Sequence, residues 1–219
     1  PQYIMDGDHL LKSVIWHKPA TYDEVCHNYV QYIIRHYLQH SIVIFDGYDE
    51  QLLTKTIEQA RRLSKKISAN ILMDGIMPTT TLQADKKNQG RLIKLLTDHL
   101  TTSGVDVQQA TSDADSTIIS SALGISNSPT VVVGTDTDLL VALIARAPKD
   151  SKLYMLRPSS TNSTVFDIKS LQSAVGKFKD SLPFLHALTG CDTTSALYNQ
   201  GKKKAYKHLK EHTSLAKDV

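Results

Sequence analysis

Thr130-Val131-Val132-Val133-Gly134-Thr135-Asp136-Thr137-Asp138-Leu139-Leu140 is the stretch that decides the fold. Four β-branched residues in a row suit a strand buried on both faces, and unbroken Val/Ile strands of that kind belong to parallel sheets. Gly134 ends the run, and a helix is predicted from about Asp138 to Arg146. Outward from this stretch the same pattern recurs. Tyr3-Ile4-Met5 leads to Asp6 and Asp8, and Ser41-Ile42-Val43-Ile44-Phe45 leads to Asp46-Gly47. Further strands are predicted at Val105-Asp106-Val107, Leu153 to Leu156 and Val165-Phe166. Thr21-Tyr22-Asp23-Glu24 has the form of a capping box, and Val25, Tyr29, Ile33 and Tyr37 then recur every four residues, predicting an amphipathic helix to about Leu38. Charged residues 51–68 and the segment from Arg91 to Leu100 are expected to be helical. Ser112 is the expected cap of a helix to about Leu123, and the chain from Ile168 reads as helices and turns. Such alternation predicts an α/β fold with a mostly parallel central sheet flanked by helices on both faces.

Composition narrows the classes. With 219 residues, 41% hydrophobic, and 25 Lys and Arg against 22 Asp and Glu, the chain is neither disordered nor extreme in charge. No apolar run approaches the ~20 residues that span a bilayer, so no membrane partner is expected. Two cysteines, Cys26 and Cys191, cannot build a disulfide framework. Together with the lack of a basic-then-apolar leader, they point to an intracellular setting, nuclear or cytoplasmic. The sequence opens at Pro1 rather than Met and enters a strand almost at once, which reads as a fragment or a processed product.

In parallel α/β sheets, ligands bind beyond the carboxyl ends of the strands. That rule gathers Asp6, Asp46, Asp136 and Asp138 on one edge, with Asp113 and Asp115 in the first turn of the helix after residues 105–107. Taken singly, each is an ordinary helix cap or turn residue. Taken together, so many carboxylates repel one another unless hard divalent cations sit among them. Mg²⁺ takes oxygen ligands, keeps several waters and needs only one or two direct carboxylates. Two such ions ~3.5–4 Å apart would clamp both oxygens of a phosphodiester displacement.

These motifs, in this order, resemble the flap endonuclease/XPG group of 5′-nucleases, a branch of the PIN-like superfamily. Ile4-Met5-Asp6-Gly7 is similar to that family's first motif and Phe45-Asp46-Gly47 to its second. Ser112-Asp113-Ala114-Asp115 resembles Ser-Glu-Ala-Glu, and Thr135-Asp136-Thr137-Asp138-Leu139-Leu140 resembles the strand-terminal Asp-x-Asp-x-Leu. Leu188-Thr189-Gly190-Cys191-Asp192 is similar to Leu-x-Gly-x-Asp, which precedes a DNA-holding helix–turn–helix. Gly201-Lys202-Lys203-Lys204-Ala205 is similar to the Gly-Pro-Lys-x-Ala that opens that motif's second helix. The resemblance implies Asp6, Asp46, Asp113, Asp115, Asp136, Asp138 and Asp192 as carboxylates for two Mg²⁺ or Mn²⁺ ions. It implies a structure-specific nuclease acting on branched or 5′-ended nucleic acid, DNA before RNA. It also implies a PIN-like core over residues 1–175, with an arch- or lid-like helical insertion at about 51–104, and a C-terminal helix–turn–helix segment over 176–219. Lys55, Arg61 and Arg62 would then steer the scissile phosphate. The family's two glutamates are the shorter Asp113 and Asp115 here, and its proline is Lys202.

Charge placement agrees with a nucleic-acid partner. Residues 201–219 carry Lys202, Lys203, Lys204, Lys207, Lys210 and Lys217 against Glu211 and Asp218. Lysines at a helix N-terminus oppose the dipole but suit phosphate, so Gly201, Lys202, Lys203, Lys204 and Lys207 are the expected nucleic-acid contacts. Two other readings compete. Met5-Asp6-Gly7-Asp8 also fits the strand-then-Asp-x-Asp of haloacid-dehalogenase-like phosphatases, with Asp6 as nucleophile. A catalytically weak or inactive fold that binds nucleic acid or protein is the non-enzymatic reading.

Overall fold

Ile4 and Met5 are adjacent in sequence and both fully buried, one on each face of the same strand. That single pair implies a sheet covered on both sides, and the computed structural model has one. It describes residues 1–16, 20–47, 86–191, 194–195 and 201–211. In chain order the described elements are β1 (Gln2–Asp6), α1 (Gly7–Ser13), α2 (Tyr22–Tyr37), β2 (Ile42–Phe45), α3 (Lys86–Thr102), β3 (Asp106–Gln109) and α4 (Ala114–Gly124). They continue with β4 (Thr130–Val133), α5 (Thr137–Arg146), β5 (Leu153–Arg157), β6 (Thr164–Asp167), α6 (Ile168–Val175), a 3₁₀ turn at Gly176–Phe178, α7 (Leu182–Leu188) and α8 (Lys202–Glu211).

The sheet order is β3-β2-β1-β4-β5-β6. The first five strands of that order pair in parallel, and β6 closes the edge antiparallel to β5. The chain winds outward from β1 through β2 to β3, then returns to lay β4 on the other side of β1. The reversal between β1 and β4 is the switch point at which such sheets open a crevice.

Alternate strand residues feed two separate cores. On one face Met5, Val43, Phe45 and Val133 pack with Tyr29 and Ile33 of α2 and Leu92, Leu96 and Leu100 of α3. On the other, Ile4, Ile44, Val132 and Met155 pack with Ile118, Leu139, Leu143 and Ile168 from α4, α5 and α6. The capping box forms as expected: the Glu24 amide donates to Thr21 Oγ1 (3.2 Å) and the Thr21 amide donates to Glu24 Oε2 (2.6 Å).

The structure adds detail in three places. Helix α1 follows β1 directly, and the Asp6 carboxylate caps it by accepting from the Asp8 amide. Helix α4 is capped by Asp113, not Ser112, whose carbonyl instead accepts from the Gly47 amide (2.7 Å). Within the expected lid, α3 seats Leu92, Ile93, Leu96 and Leu100 in the core. Its C-terminal part, through residue 102, therefore belongs to the body of the fold, and residues 51–85 lie outside the described residues. Helices α7 and α8 pack against each other. The segment between them is described only at 189–191, 194–195 and 201.

Candidate functional site

Parallel pairing sends the ends of β1, β2, β3 and β4 to one edge of the sheet, and helices begin where three of those strands stop. Asp6 closes β1 and caps α1; Asp136 follows β4 and caps α5, its Oδ1 accepting from the Asp138 amide (2.8 Å). Asp113 follows β3 and caps α4, its Oδ1 accepting from the Asp115 amide (3.2 Å). Asp46 leaves β2 and reaches the same helix, its Oδ1 accepting from the Ala114 amide (2.8 Å). Three helix N-termini therefore point their positive ends at this edge, which helps the fold tolerate the carboxylates.

Two glycines explain why the strand-end motifs read Asp-Gly. A Cβ on Gly7 would lie 2.3 Å from Phe45 Cδ1 and 2.8 Å from the Ile44 carbonyl oxygen. One on Gly47 would lie 2.4 Å from the Ala110 carbonyl oxygen. Each glycine lets its strand end pass against a neighbour, so Asp6 and Asp46 leave the sheet side by side.

Electrostatics register that proximity. Burial, then the charge of Asp8, pushes the Asp6 carboxyl up to about 6; amide hydrogen bonds from Asp8 and His9 pull it down, and Asp46 adds a smaller upward push. Across the switch point Gly134 lies close to Asp6: an added Cβ there would stand 3.5 Å from Asp6 Cβ and 3.7 Å from its Oδ2, in ordinary contact.

Asp136 and Asp138 border a cavity of about 500 Å³ between the first turn of α5, the end of α7 and the start of α8. His186, Cys191, Thr194 and Lys202 complete much of its wall. Gly190 adopts φ +94°, a left-handed conformation that explains the glycine of Leu188-Thr189-Gly190. Beyond it the chain folds back, with Thr194 Oγ1 donating to the Ala187 carbonyl (2.6 Å). His186 Nε2 lies 2.6 Å from Asp138 Oδ1, and Lys202 Nζ lies 3.1 Å from His186 Nδ1 and donates to the Gly190 carbonyl (2.6 Å).

Sequence reasoning missed His186. The signal was available, because His186 sits two residues before Leu188 of the Leu-x-Gly-x-Asp motif, on a helix whose other residues are apolar or small apart from Pro183. Lys202, expected to meet phosphate, has its amine engaged within the fold. Lys203 and Lys204 are exposed on the first turn of α8, Gly201 precedes it with its carbonyl accepting the Lys204 and Ala205 amides, and Lys207 lies further along an exposed part of the helix. Asp192, Lys55, Arg61 and Arg62 lie outside the described residues.

The donor set consists of carboxylate oxygens, the chemistry of a hard divalent cation. Among the described residues no three His, Cys, Asp or Glu side chains converge as a ready-made metal cage. A cation that keeps much of its water shell needs only one or two direct carboxylates.

No family model matches this chain, and no curated protein does. Among solved structures it is similar to the catalytic core of Rad2 in complex with DNA substrate, at 15% identity with a TM-score of 0.57. The match covers 97% of this chain and 59% of that one, so the chain spans well under two thirds of its structural neighbour. The likeness establishes the fold: an α/β architecture with a six-stranded, mostly parallel sheet flanked by helices, as in that catalytic core. Among the described residues no helix is long and apolar enough to cross a membrane.

Proposed function

We propose that this chain is a divalent-metal-dependent, structure-specific nuclease of the flap endonuclease/XPG type, hydrolysing phosphodiester bonds in branched or 5′-ended nucleic acid. The observation that carries the reading is the strand-end edge, where Asp6, Asp46, Asp113 and Asp136 each lie at a helix N-terminus beyond parallel strands. Asp6, Asp46, Asp113, Asp115, Asp136, Asp138 and Asp192 would hold two Mg²⁺ or Mn²⁺ ions. When bound, those ions supply an activated water and neutralise charge on the leaving oxygen.

The protein's own contributions are positioning and selection. Helix amides fix one oxygen each of Asp6, Asp46, Asp113 and Asp136, so these carboxylates are held in a set orientation. The exposed Lys203 and Lys204 at the start of α8, with Lys207 on the same helix, would hold the backbone of a nucleic acid beyond the cavity, the helix N-terminus adding its own attraction for phosphate. DNA is the favoured partner because the structural neighbour is a DNA complex. Lys55, Arg61 and Arg62 would steer the scissile phosphate.

One observation favours a second reading, a binding module with little or no turnover: the carboxylates serve as caps and form no closed cage among the described residues. A single assay separates the two. End-labelled single-stranded, duplex, 5′-flap and hairpin DNA and RNA are incubated with Mg²⁺, Mn²⁺ or EDTA, beside the Asp136→Asn variant. Metal-dependent cleavage that disappears in the variant supports the nuclease. Retarded bands without cleavage support the binding module, and cleavage undiminished in the variant overturns the site.

A further inference from the structure

We infer that His186 is a positioning residue for Asp138 and that Lys202 fixes the tautomer with which it does so, tying the first residue of α8 to the acidic edge. The inference rests on the nuclease reading and adds to it two residues with defined roles.

A lysine ammonium has only hydrogens to give. Lys202 Nζ lies 3.1 Å from His186 Nδ1 and 2.6 Å from the Gly190 carbonyl oxygen, so in this arrangement Nδ1 is the acceptor. The ring hydrogen then sits on Nε2, where Asp138 Oδ1 accepts it at 2.6 Å. The chain of bonds runs in one direction: Lys202 to His186 to Asp138. Its inner members are sheltered, the His186 side chain being 10% exposed and that of Asp138 26%. The carboxylate is thus gripped through Oδ1 by a rigid ring while it still borders the cavity. Partners that orient a carboxylate in this way govern how well it meets a cation.

The same geometry resolves a local conflict. A lysine in the first turn of a helix opposes the helix dipole. Lys202 tolerates that place because its amine folds back onto Gly190 and His186. Gly190, at φ +94°, turns the chain just after α7, and its carbonyl is the oxygen that the amine meets. Helix α8 is thereby fastened to the same imidazole that orients Asp138.

The test is Mn²⁺ affinity, measured by titration calorimetry on the whole chain, with thermal melts to confirm folding. Wild type is compared with His186→Leu, His186→Gln and Lys202→Met. His186→Leu should weaken Mn²⁺ binding about 10- to 100-fold, the usual effect of removing a group that orients a ligand. His186→Gln, which keeps an N–H donor at similar reach, should recover most of that loss, and Lys202→Met should fall between the two. A folded His186→Leu protein that binds Mn²⁺ like wild type overturns the proposal, as does a His186→Gln variant no better than His186→Leu. Should His186→Leu fail to fold, Lys202→Met decides: weakened binding supports the chain of bonds and unchanged binding overturns it. Wild-type protein that binds no Mn²⁺ would refute the nuclease reading itself and this inference with it, an outcome distinct from normal wild-type binding shared by all the variants.

Discussion

Replacing Asp6 with Asn should make the metal-free protein more stable at neutral pH while removing the proposed metal-dependent cleavage. Burial and the neighbouring carboxylates raise the Asp6 carboxyl from 3.8 to about 6. Its pKa in the folded state is therefore higher than in the unfolded state, and the unfolded chain releases this proton first as pH rises. Stability is lost progressively between pH 3.8 and about 6, and the full penalty persists above that window. Two pKa units at ~1.4 kcal/mol each give about 3 kcal/mol. An Asn side chain stands in for the protonated carboxyl and caps a helix as well as Asp does, so the substitution isolates the charge. Urea denaturation in EDTA across pH 4 to 7.5 provides the assay, with a gap of about 3 kcal/mol expected at the upper end and closing toward the lower. Added Mg²⁺ should narrow the gap, because wild type has one more carboxylate, and so more repulsion, for the cation to relieve. An Asp6→Asn protein no more stable than wild type at neutral pH, or a gap that does not change with pH, would refute the argument from burial and repulsion.

Other outcomes follow from the same geometry. Asp136→Asn should keep its cap and its melting temperature yet lose at least ~100-fold in metal-dependent cleavage, read from initial rates on the best substrate of the panel. Gly47→Ala should destabilise by about 1–3 kcal/mol in urea titrations, because its Cβ meets the Ala110 carbonyl at 2.4 Å and backbone must move. Thr21→Ala should remove the capping box of α2 and cost about 1 kcal/mol by the same measurement, with no change in Mn²⁺ affinity. Gln172→Ala should cost about 1–3 kcal/mol, since Gln172 Nε2 donates to the Ile144 and Ala147 carbonyls at the end of α5 and their partner would be lost.

Much of the architecture was legible because its determinants are local. The Val131–Val133 run, the capping box at Thr21 and the four-residue spacing along α2 each state their structure within one turn or one strand. What could not be read is set by contacts distant in sequence. Asp113 displaced Ser112 as cap because Gly47, far earlier in the chain, claims the Ser112 carbonyl. Helix α1 opens on a glycine that its own sequence disfavours, and the reason is the ring of Phe45 lying against it. The acidic edge was visible as a recurrence of strand then Asp, since parallel topology converts that recurrence into proximity. His186 offered only its place before Leu188 as a hint, because its partners Asp138 and Lys202 lie 48 and 16 residues away in sequence.

The order β3-β2-β1-β4-β5-β6 places β1 at the heart of the sheet and gives it a neighbour that arrives late. At ~5–20 residues per second, β4 leaves the ribosome on the order of ten seconds after β1. Through that interval one side of β1 has no strand to bond, although Ile4 and Met5 are made for burial. The nascent chain is therefore at its stickiest in mid-synthesis, and slow translation or a holding chaperone should matter more to its yield than the stability of the finished fold.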